Sequence, residues 1–168
     1  SGIGDTTAYT QFRSGRDTTQ CSGVSMNVIY TGKLSASTLT NNTIYVLTWN
    51  YFTGNWPITM ANCSTIISSY TTGTRLTSTW VSSIGMINIS SYQYTIVDGM
   101  LIDGSWWLNQ SQWISINGNN GTINNCEIYN NRFGIYAVWW AYINISNIRL
   151  HDNRNTGIRL ITAKNYYI

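Results

Sequence analysis

The feature that most constrains this chain is a short pattern that occurs twice near its C-terminal end. The segment IYNNRFGIY at 128–136 is echoed by LHDNRNTGIR at 150–159. The apolar anchor Ile128 recurs as Leu150, and Gly134 recurs as Gly157 after nearly the same interval. A repeat with a period of roughly 20 to 50 residues is typical of a solenoid. Because the unit contains β-branched residues and Asn/Gly turns, the sequence predicts stacked strands rather than helices.

The spacing of further apolar residues extends this repeat toward the N-terminus. Ile102 precedes Ile128, and Ile114 precedes Ile135, by intervals close to the first one. Short runs rich in Ile, Val, Thr and Tyr alternate with Asn, Gly, Asp and Ser, and no long window has a helical apolar stripe. These observations predict an all-β fold, a parallel β-helix with coils of about 21–26 residues.

Several segments also resemble a known group of proteins. TIVDGMLIDG at 95–104 and TINNCEIYNN at 122–131 look like coils of the right-handed parallel β-helix superfamily, and NTIYVL at 42–47 is similar to a first coil. That superfamily includes pectate-lyase-like enzymes and secreted adhesin-like β-solenoid proteins. The resemblance covers about residues 42–168 and implies a right-handed β-helix. It implies little about activity, because one fold carries many functions.

The first forty residues differ from the rest of the chain. Residues 1–40 are rich in Gly, Ser and Thr and lack the repeat. We therefore predict two parts: an N-terminal cap or donor strand over residues 1–40, and the parallel β-helix over residues 41–168.

The composition excludes several classes of function. Of the 168 residues only 9% are charged, the net charge is +3, and the mean hydropathy is −0.13. No basic cluster points to nucleic acid, and no run approaches the roughly 20 apolar residues of a membrane span. The chain has one His and no CxxC motif, so no metal site and no cofactor are predicted.

The cysteines and the first residue bear on the cellular compartment. The chain begins with Ser1, as expected after removal of a signal peptide, although a partial chain begins in the same way. Of the three cysteines, we predict a disulfide between Cys21 and Cys63 and burial of Cys126 as a small apolar residue. The predicted location is extracellular, at the cell surface.

The few acidic residues give weak evidence for catalysis. Asp98 and Asp103 each precede a glycine, where a turn Asp bonded to its own backbone is the ordinary explanation. Glu127 and Asp152 occupy similar places in adjacent coils, next to Arg149 and Arg154. This placement indicates either a surface ion pair or a catalytic acid that is assisted by a neighbouring basic residue. Neither pair matches a lyase pattern residue by residue, so no catalytic residue is assigned.

The aromatic residues are unusually abundant, with eight Trp and twelve Tyr. Two adjacent pairs stand out, Trp106-Trp107 and Trp139-Trp140. Since neighbouring side chains of a strand point to opposite faces, at least one of each pair could face outward. Outward Trp would contact glycans or another subunit, whereas inward Trp would cover the core or pack under loops.

Six Asn-x-Ser/Thr sequons predict N-glycosylation acceptors. Chance alone predicts about five in a chain this rich in Asn, Ser and Thr, so their number is not an enrichment. The acceptors are Asn41, Asn62, Asn88, Asn109, Asn120 and Asn144.

The last residues suggest how the solenoid is used. The chain stops at Tyr166, Tyr167 and Ile168, in mid-coil, so we expect either a longer chain or another copy to cover that end. The leading hypothesis is an extracellular structural protein whose copies join end to end into a filament or sheath. The alternatives are a polysaccharide-active, lyase-like enzyme, a glycan-binding adhesin that uses aromatic residues, and a trimeric viral fibre.

Overall fold

The computed structural model describes most of the chain from residue 21 onward. The described residues are 21, 27–32, 34, 37–49, 51–54, 57–69, 73–78, 86–90, 94–104, 112–117, 121–138, 143–161 and 166–168. Within them the regular secondary structure consists of eighteen β-strands and no helix.

The strands are short and follow one another closely along the chain. The first nine are β1 (Asn27–Thr31), β2 (Ser37–Thr38), β3 (Thr43–Leu47), β4 (Tyr51–Gly54), β5 (Ile58–Thr59), β6 (Thr65–Ser68), β7 (Thr74–Ser78), β8 (Ile87–Ser90) and β9 (Thr95–Asp98). The others are β10 (Met100–Asp103), β11 (Gln112–Asn117), β12 (Gly121–Asn124), β13 (Glu127–Tyr129), β14 (Phe133–Val138), β15 (Ile143–Ser146), β16 (Arg149–His151), β17 (Thr156–Ile161) and β18 (Tyr166–Tyr167).

In the described part of the chain these strands form three sheets, and every pairing is parallel. The seven-strand sheet has the order β1-β3-β6-β9-β12-β15-β18, the six-strand sheet β2-β5-β8-β11-β14-β17, and the five-strand sheet β4-β7-β10-β13-β16. From β3 onward the chain passes from the seven-strand to the five-strand to the six-strand sheet and then returns. The molecule is therefore a parallel β-solenoid, and the predicted all-β fold class is confirmed.

The repeat anchors seen in the sequence lie in register. Ile102, Ile128 and Leu150 pair along the five-strand sheet, and Ile114, Ile135 and Ile158 pair along the six-strand sheet. All but the last of each set are fully buried. Because each of these coils places an Ile or Leu side chain over the one below, these positions form apolar columns in the interior.

Not every step of the ladder matches the coil length of about 21–26 residues that the repeat predicts, since the step from Asn27 to Thr43 is shorter and that from Ile87 to Ile114 is slightly longer. One turn of the solenoid is longer still. Thr65 pairs with Ile96, and Ile58 pairs with Ile87, so in both sheets this step along the chain exceeds the predicted upper bound. The extra residues fall between strands, so they lengthen connections without changing the register. Lengthening a connection between strands costs little free energy, which is why the ladder tolerates it.

The stack begins earlier than residue 41. Strand β1 pairs with β3, and β2 pairs with β5, so residues 27–31 and 37–38 belong to the parallel ladder. The predicted division at residue 40 stays a prediction, because residues 1–20, 22–26, 33, 35 and 36 of the predicted cap lie outside the described residues.

The corners explain why Asn is so frequent. Gly73, Gly99, Asn125 and Asn147 occupy one corner column between the seven-strand and five-strand sheets, and all four have positive φ. Asn adopts this left-handed conformation more readily than other residues with a side chain. Asp98 adds a polar ladder at this corner, because it accepts hydrogen bonds from the side chains of Asn125 (2.9 Å) and Asn124 (3.4 Å) of the next coil.

A glycine substitution tests how tightly the coils stack. A Cβ on Gly104 would overlap the backbone carbonyl oxygen of Asn130 in the next coil, whereas a Cβ on Gly121 would meet Ile89 at 3.4 Å, an ordinary contact. We expect Gly104→Ala to lower the free energy of unfolding by about 2 kcal/mol or more, since two coils must separate. Urea unfolding followed by circular dichroism measures the change, with Gly121→Ala as the matched control. Equal stability of the two variants would contradict the stacking geometry.

Candidate functional site

The outward side of the five-strand sheet carries a group of charged side chains from successive coils. Along one register column lie Arg75, Leu101, Glu127 and Arg149, and along the neighbouring column lie Thr77, Asp103, Tyr129 and His151. These positions alternate with the interior residues Leu76, Ile102, Ile128 and Leu150. The charged face is defined here as Arg75, Asp103, Glu127, Tyr129, Arg149, His151 and Asp152.

His151 is the centre of the charged face, and both of its ring nitrogens contact carboxylates. Nε2 lies 2.7 Å from Oε1 of Glu127, in the preceding coil, and Nδ1 lies 2.8 Å from Oδ2 of Asp152. Arg149 also reaches Glu127, with Nη1 3.3 Å from the same oxygen. Carboxylates only accept, so both bonds form together only when His151 is an imidazolium that donates from each nitrogen.

Tyr129 supports this arrangement from the coil below. Its ring stacks on that of His151 with 4.9 Å between the centroids and 5° between the planes. Burial, and then the nearby charge of Asp103, raise the pKa of the Tyr129 hydroxyl. The hydrogen bonds to Asp152 and then to Glu127 raise the pKa of His151, which favours the imidazolium.

Asp103 is buried and is held on two sides. Its Oδ2 contacts the guanidinium of Arg75 in the preceding coil, and its Oδ1 accepts a hydrogen bond of 3.0 Å from Nδ2 of Asn130 in the next coil. One carboxylate thus links three coils. The sequence favoured bonds from Asp98 and Asp103 to their own turns, whereas the structure shows both carboxylates accepting bonds from adjacent coils.

The geometry favours ion pairing over catalysis. Both nitrogens of His151, both carboxylate oxygens of Asp103 and Oε1 of Glu127 already have partners, so the contacts of this face form a network of ion pairs. Among the described residues, no group of three metal-ligating side chains is placed to hold an ion. Of the two interpretations that the sequence left open for Glu127 and Asp152, the structure therefore favours a structural ion pair.

Sequence reasoning brought Glu127 and Asp152 together but missed the residue that joins them. His151 pairs with Tyr129 in the same register that pairs Leu150 with Ile128. Projecting the repeat onto every position, and not only onto the apolar ones, would have placed the two rings face to face. The spacing of the sequence repeat therefore contained the information needed to predict that Tyr129 and His151 stack.

The cysteines form one bridged pair and one buried thiol. Cys21 and Cys63, the pair that the sequence analysis named, form a disulfide with 5.8 Å between their Cα atoms, and both are buried. Cys63 has a positive φ and sits at the corner before β6, so the bridge anchors Cys21 beside the seven-strand sheet. Cys126 is a free thiol within the core, and burial raises its pKa to about 12, which makes the reactive thiolate rare.

The other predicted contact residues are only partly within the described structure. Trp106, Trp107, Trp139 and Trp140 lie outside it, as do the sequon residues Asn109 and Asn120. Asn41 and Asn62 are exposed at one corner, where Oδ1 of Asn41 accepts the N–H of Asn62 at 3.1 Å. Asn88 and Asn144 are partly exposed on strands between inward isoleucines. Tyr166 and Tyr167 form β18, and Ile168 is exposed.

Comparison with known proteins does not add a family. No protein-family model, no curated protein and no solved structure matches this chain. Within the described residues, no helix has the length and apolar character needed to cross a membrane.

The protonation of His151 can be measured directly, because it is the single histidine of the chain. We expect its pKa to lie above the ordinary value of about 6.5. Asp152→Asn should lower this pKa, and Glu127→Gln should lower it by a smaller amount, since each removes a carboxylate partner. A titration of the imidazole resonances by NMR measures both shifts. Arg159→Gln, on another sheet, is the control, and a pKa that neither carboxylate variant changes would contradict the double contact.

Proposed function

We propose that this protein is an extracellular structural subunit, a β-solenoid of the right-handed parallel β-helix superfamily whose copies join head to tail into a filament or sheath. The buried disulfide between Cys21 and Cys63 supports an oxidising compartment. The scarcity of charge also favours a structural role.

The observation that carries the proposal is an interior column that is apolar and exposed at both ends. Along the seven-strand sheet Ile29 pairs with Tyr45, and the column continues through Ile66, Val97, Ile123 and Ile145, all buried. Ile168 directly follows Tyr167, the partner of Asn144, and so occupies the chain position that corresponds to Ile145 of this column. Ile29 is 42% exposed and Ile168 is 72% exposed. A second copy would bury one against the other.

The exposed apolar residues support the same interpretation. Among the described residues the large ones are Val28, Ile29, Tyr30, Trp49 and Ile168. The first three belong to β1, Trp49 packs over Gly32 beside it, and Ile168 follows β18. All five therefore lie at the two ends of one sheet. Exposed strand edges with apolar side chains readily pair with another chain.

The last coil is also less well covered than the coils before it. Leu150, Ile158 and Leu160 are only partly buried, whereas their partners Ile128, Ile135 and Ala137 are fully buried. Burial of a side chain of this size stabilises by about 1.5–3 kcal/mol. A further coil seated on this end, whether from another copy or from chain beyond residue 168, would recover part of that free energy.

Two charged variants test the polarity of the assembly. Ile29→Asp blocks the first end and Ile168→Asp blocks the last end, because each buries a carboxylate in the joint. We expect each variant alone to be monomeric and a 1:1 mixture to form dimers that grow no further. Light scattering and electron microscopy measure this result. Asn117→Asp, which adds the same charge to an exposed site within the stack, should leave filaments intact.

Two results would contradict head-to-tail assembly through these ends. An intact chain that stays monomeric at high concentration would overturn head-to-tail assembly. Filaments that survive both end variants would show that copies join through another surface.

A second candidate function, binding of acidic glycans, is favoured by one cluster on the six-strand sheet. The guanidinium carbons of Arg132 and Arg159 each lie 5.2 Å from the centre of the Phe133 ring, and that of Arg159 lies 5.7 Å from the Tyr136 ring. Neither arginine forms an ion pair with a described residue. Stacking leaves the N–H edges of a guanidinium available to carboxylate or sulfate groups. No described residues favour the lyase alternative.

The glycan hypothesis predicts binding that depends on the Arg132 and Arg159 cluster. Arg159→Gln should weaken retention on a sulfated or uronate-containing glycan by about tenfold at low salt, because a charge-assisted bond is lost. Arg149→Gln removes the same charge from another sheet and is the matched control. Equal effects of the two variants would indicate non-specific attraction, and the absence of retention would exclude this function for the cluster.

A further inference from the structure

His151 lies where one side-chain contact holds the last coil against the coil before it. It lies on β16, the last strand of the five-strand sheet, and β16 pairs with β13 through only three registered residues. The contact between Nε2 of His151 and Glu127 spans this pairing and joins two successive coils. It therefore fastens the last coil to the coil before it.

The contact depends on the proton of His151. In the imidazolium form each nitrogen donates to one carboxylate, at 2.7 Å and 2.8 Å. Loss of one proton leaves a lone pair facing either Glu127 or Asp152, so one of the two attractive contacts becomes repulsive. Within this geometry a neutral ring can satisfy only one carboxylate.

We propose that His151 is a proton-dependent clasp that fastens the last coil and thereby favours end-to-end assembly in mildly acidic conditions. This inference rests on the proposed function, because the last coil leads into β17 and β18, the strands at the end that a second copy would cover. When the clasp opens, β16 loosens and the receiving end becomes less ordered.

The surrounding charges favour this role. Glu127 and Tyr129 face the ring from β13, Asp152 follows it at the corner, and Arg149 shares its strand. Arg149 also contacts Glu127, so that carboxylate keeps one cation when His151 is neutral. Asp103 and Arg75 lie farther along the face and pair with each other. Deprotonation therefore weakens the coil contact without removing it.

The direction of the pH effect follows from the shift of the histidine. The two carboxylates raise the pKa of His151 in the folded chain. A group whose pKa is higher in the folded state stabilises it fully below the unfolded value and loses that contribution as the pH rises through the folded value. The last coil should thus be most stable in mildly acidic solution and loosen on the alkaline side of the folded pKa.

Two measurements on the full chain separate the clasp from the assembly. The first is hydrogen exchange of the amides of residues 149–151, compared as protection factors at about pH 5.5 and about pH 8.5, on either side of the histidine pKa. The second is the critical concentration for filament formation at the same two values. We expect protection to fall and the critical concentration to rise by about fivefold at the higher pH, as two exposed ion pairs would produce.

The variants identify the group responsible. His151→Gln remains neutral and should abolish both pH effects, whereas Arg154→Gln removes a cation from the same coil, outside the charged face and the Arg132 and Arg159 cluster, and should retain them. If filaments form but neither measurement depends on pH in the natural sequence, the clasp is wrong and the assembly stands. If no filaments form while protection of residues 149–151 still depends on pH and on His151, the assembly is wrong and the clasp stands as a device of the last coil. Identical pH effects in the natural chain and His151→Gln would overturn the inference.

Discussion

In-register stacking of parallel strands is the interaction on which the rest of this molecule depends. Each strand of a sheet hydrogen-bonds to its equivalents in the coils above and below, and each apolar column extends through the stack, as in the series from Tyr45 to Ile145. The register determines which side chains meet, so a polar contact such as Glu127 with His151 is a consequence of the same ladder that builds the core. The polar contacts between coils and the apolar core thus share one geometric origin.

The corners are what allow the stack to keep that register. Left-handed residues recur in columns, such as Gly99, Asn125 and Asn147, and turn the chain from one sheet to the next at the same height in every coil. The side chains at this corner then bond across coils, as Ser146 does when its hydroxyl donates to Oδ1 of Asn124 at 2.9 Å. A turn residue here serves its own backbone conformation and the neighbouring coil at once. That double use accounts for the high content of Asn and Ser in a chain with few charges.

A solenoid built in this way has no intrinsic length, because each coil offers the next one the same surface. The two ends of the seven-strand sheet have exposed apolar residues, whereas the middle of each column is buried. A proton-dependent contact at the last coil is well placed to adjust how firmly such an end is held. The charged face and the exposed ends are therefore two aspects of one arrangement, in which ion pairs join successive coils and apolar side chains are exposed at the ends of the stack.

The sequence alone determined the repeat and hence the fold. The anchors Ile102, Ile128 and Leu150 recur at nearly constant spacing, and a β-branched repeat of that length with Asn/Gly turns has few ways to bury its apolar face other than by stacking. It did not reveal the longer step from Thr65 to Ile96, because an insertion between strands leaves no periodic signal. Nor did it reveal the inclusion of β1 and β2 in the ladder, or the pairing of His151 with Glu127. Only the tertiary structure decided those features. Hydrogen bonds between coils join residues that are distant in sequence, and the residue types on their own do not indicate which of them will meet.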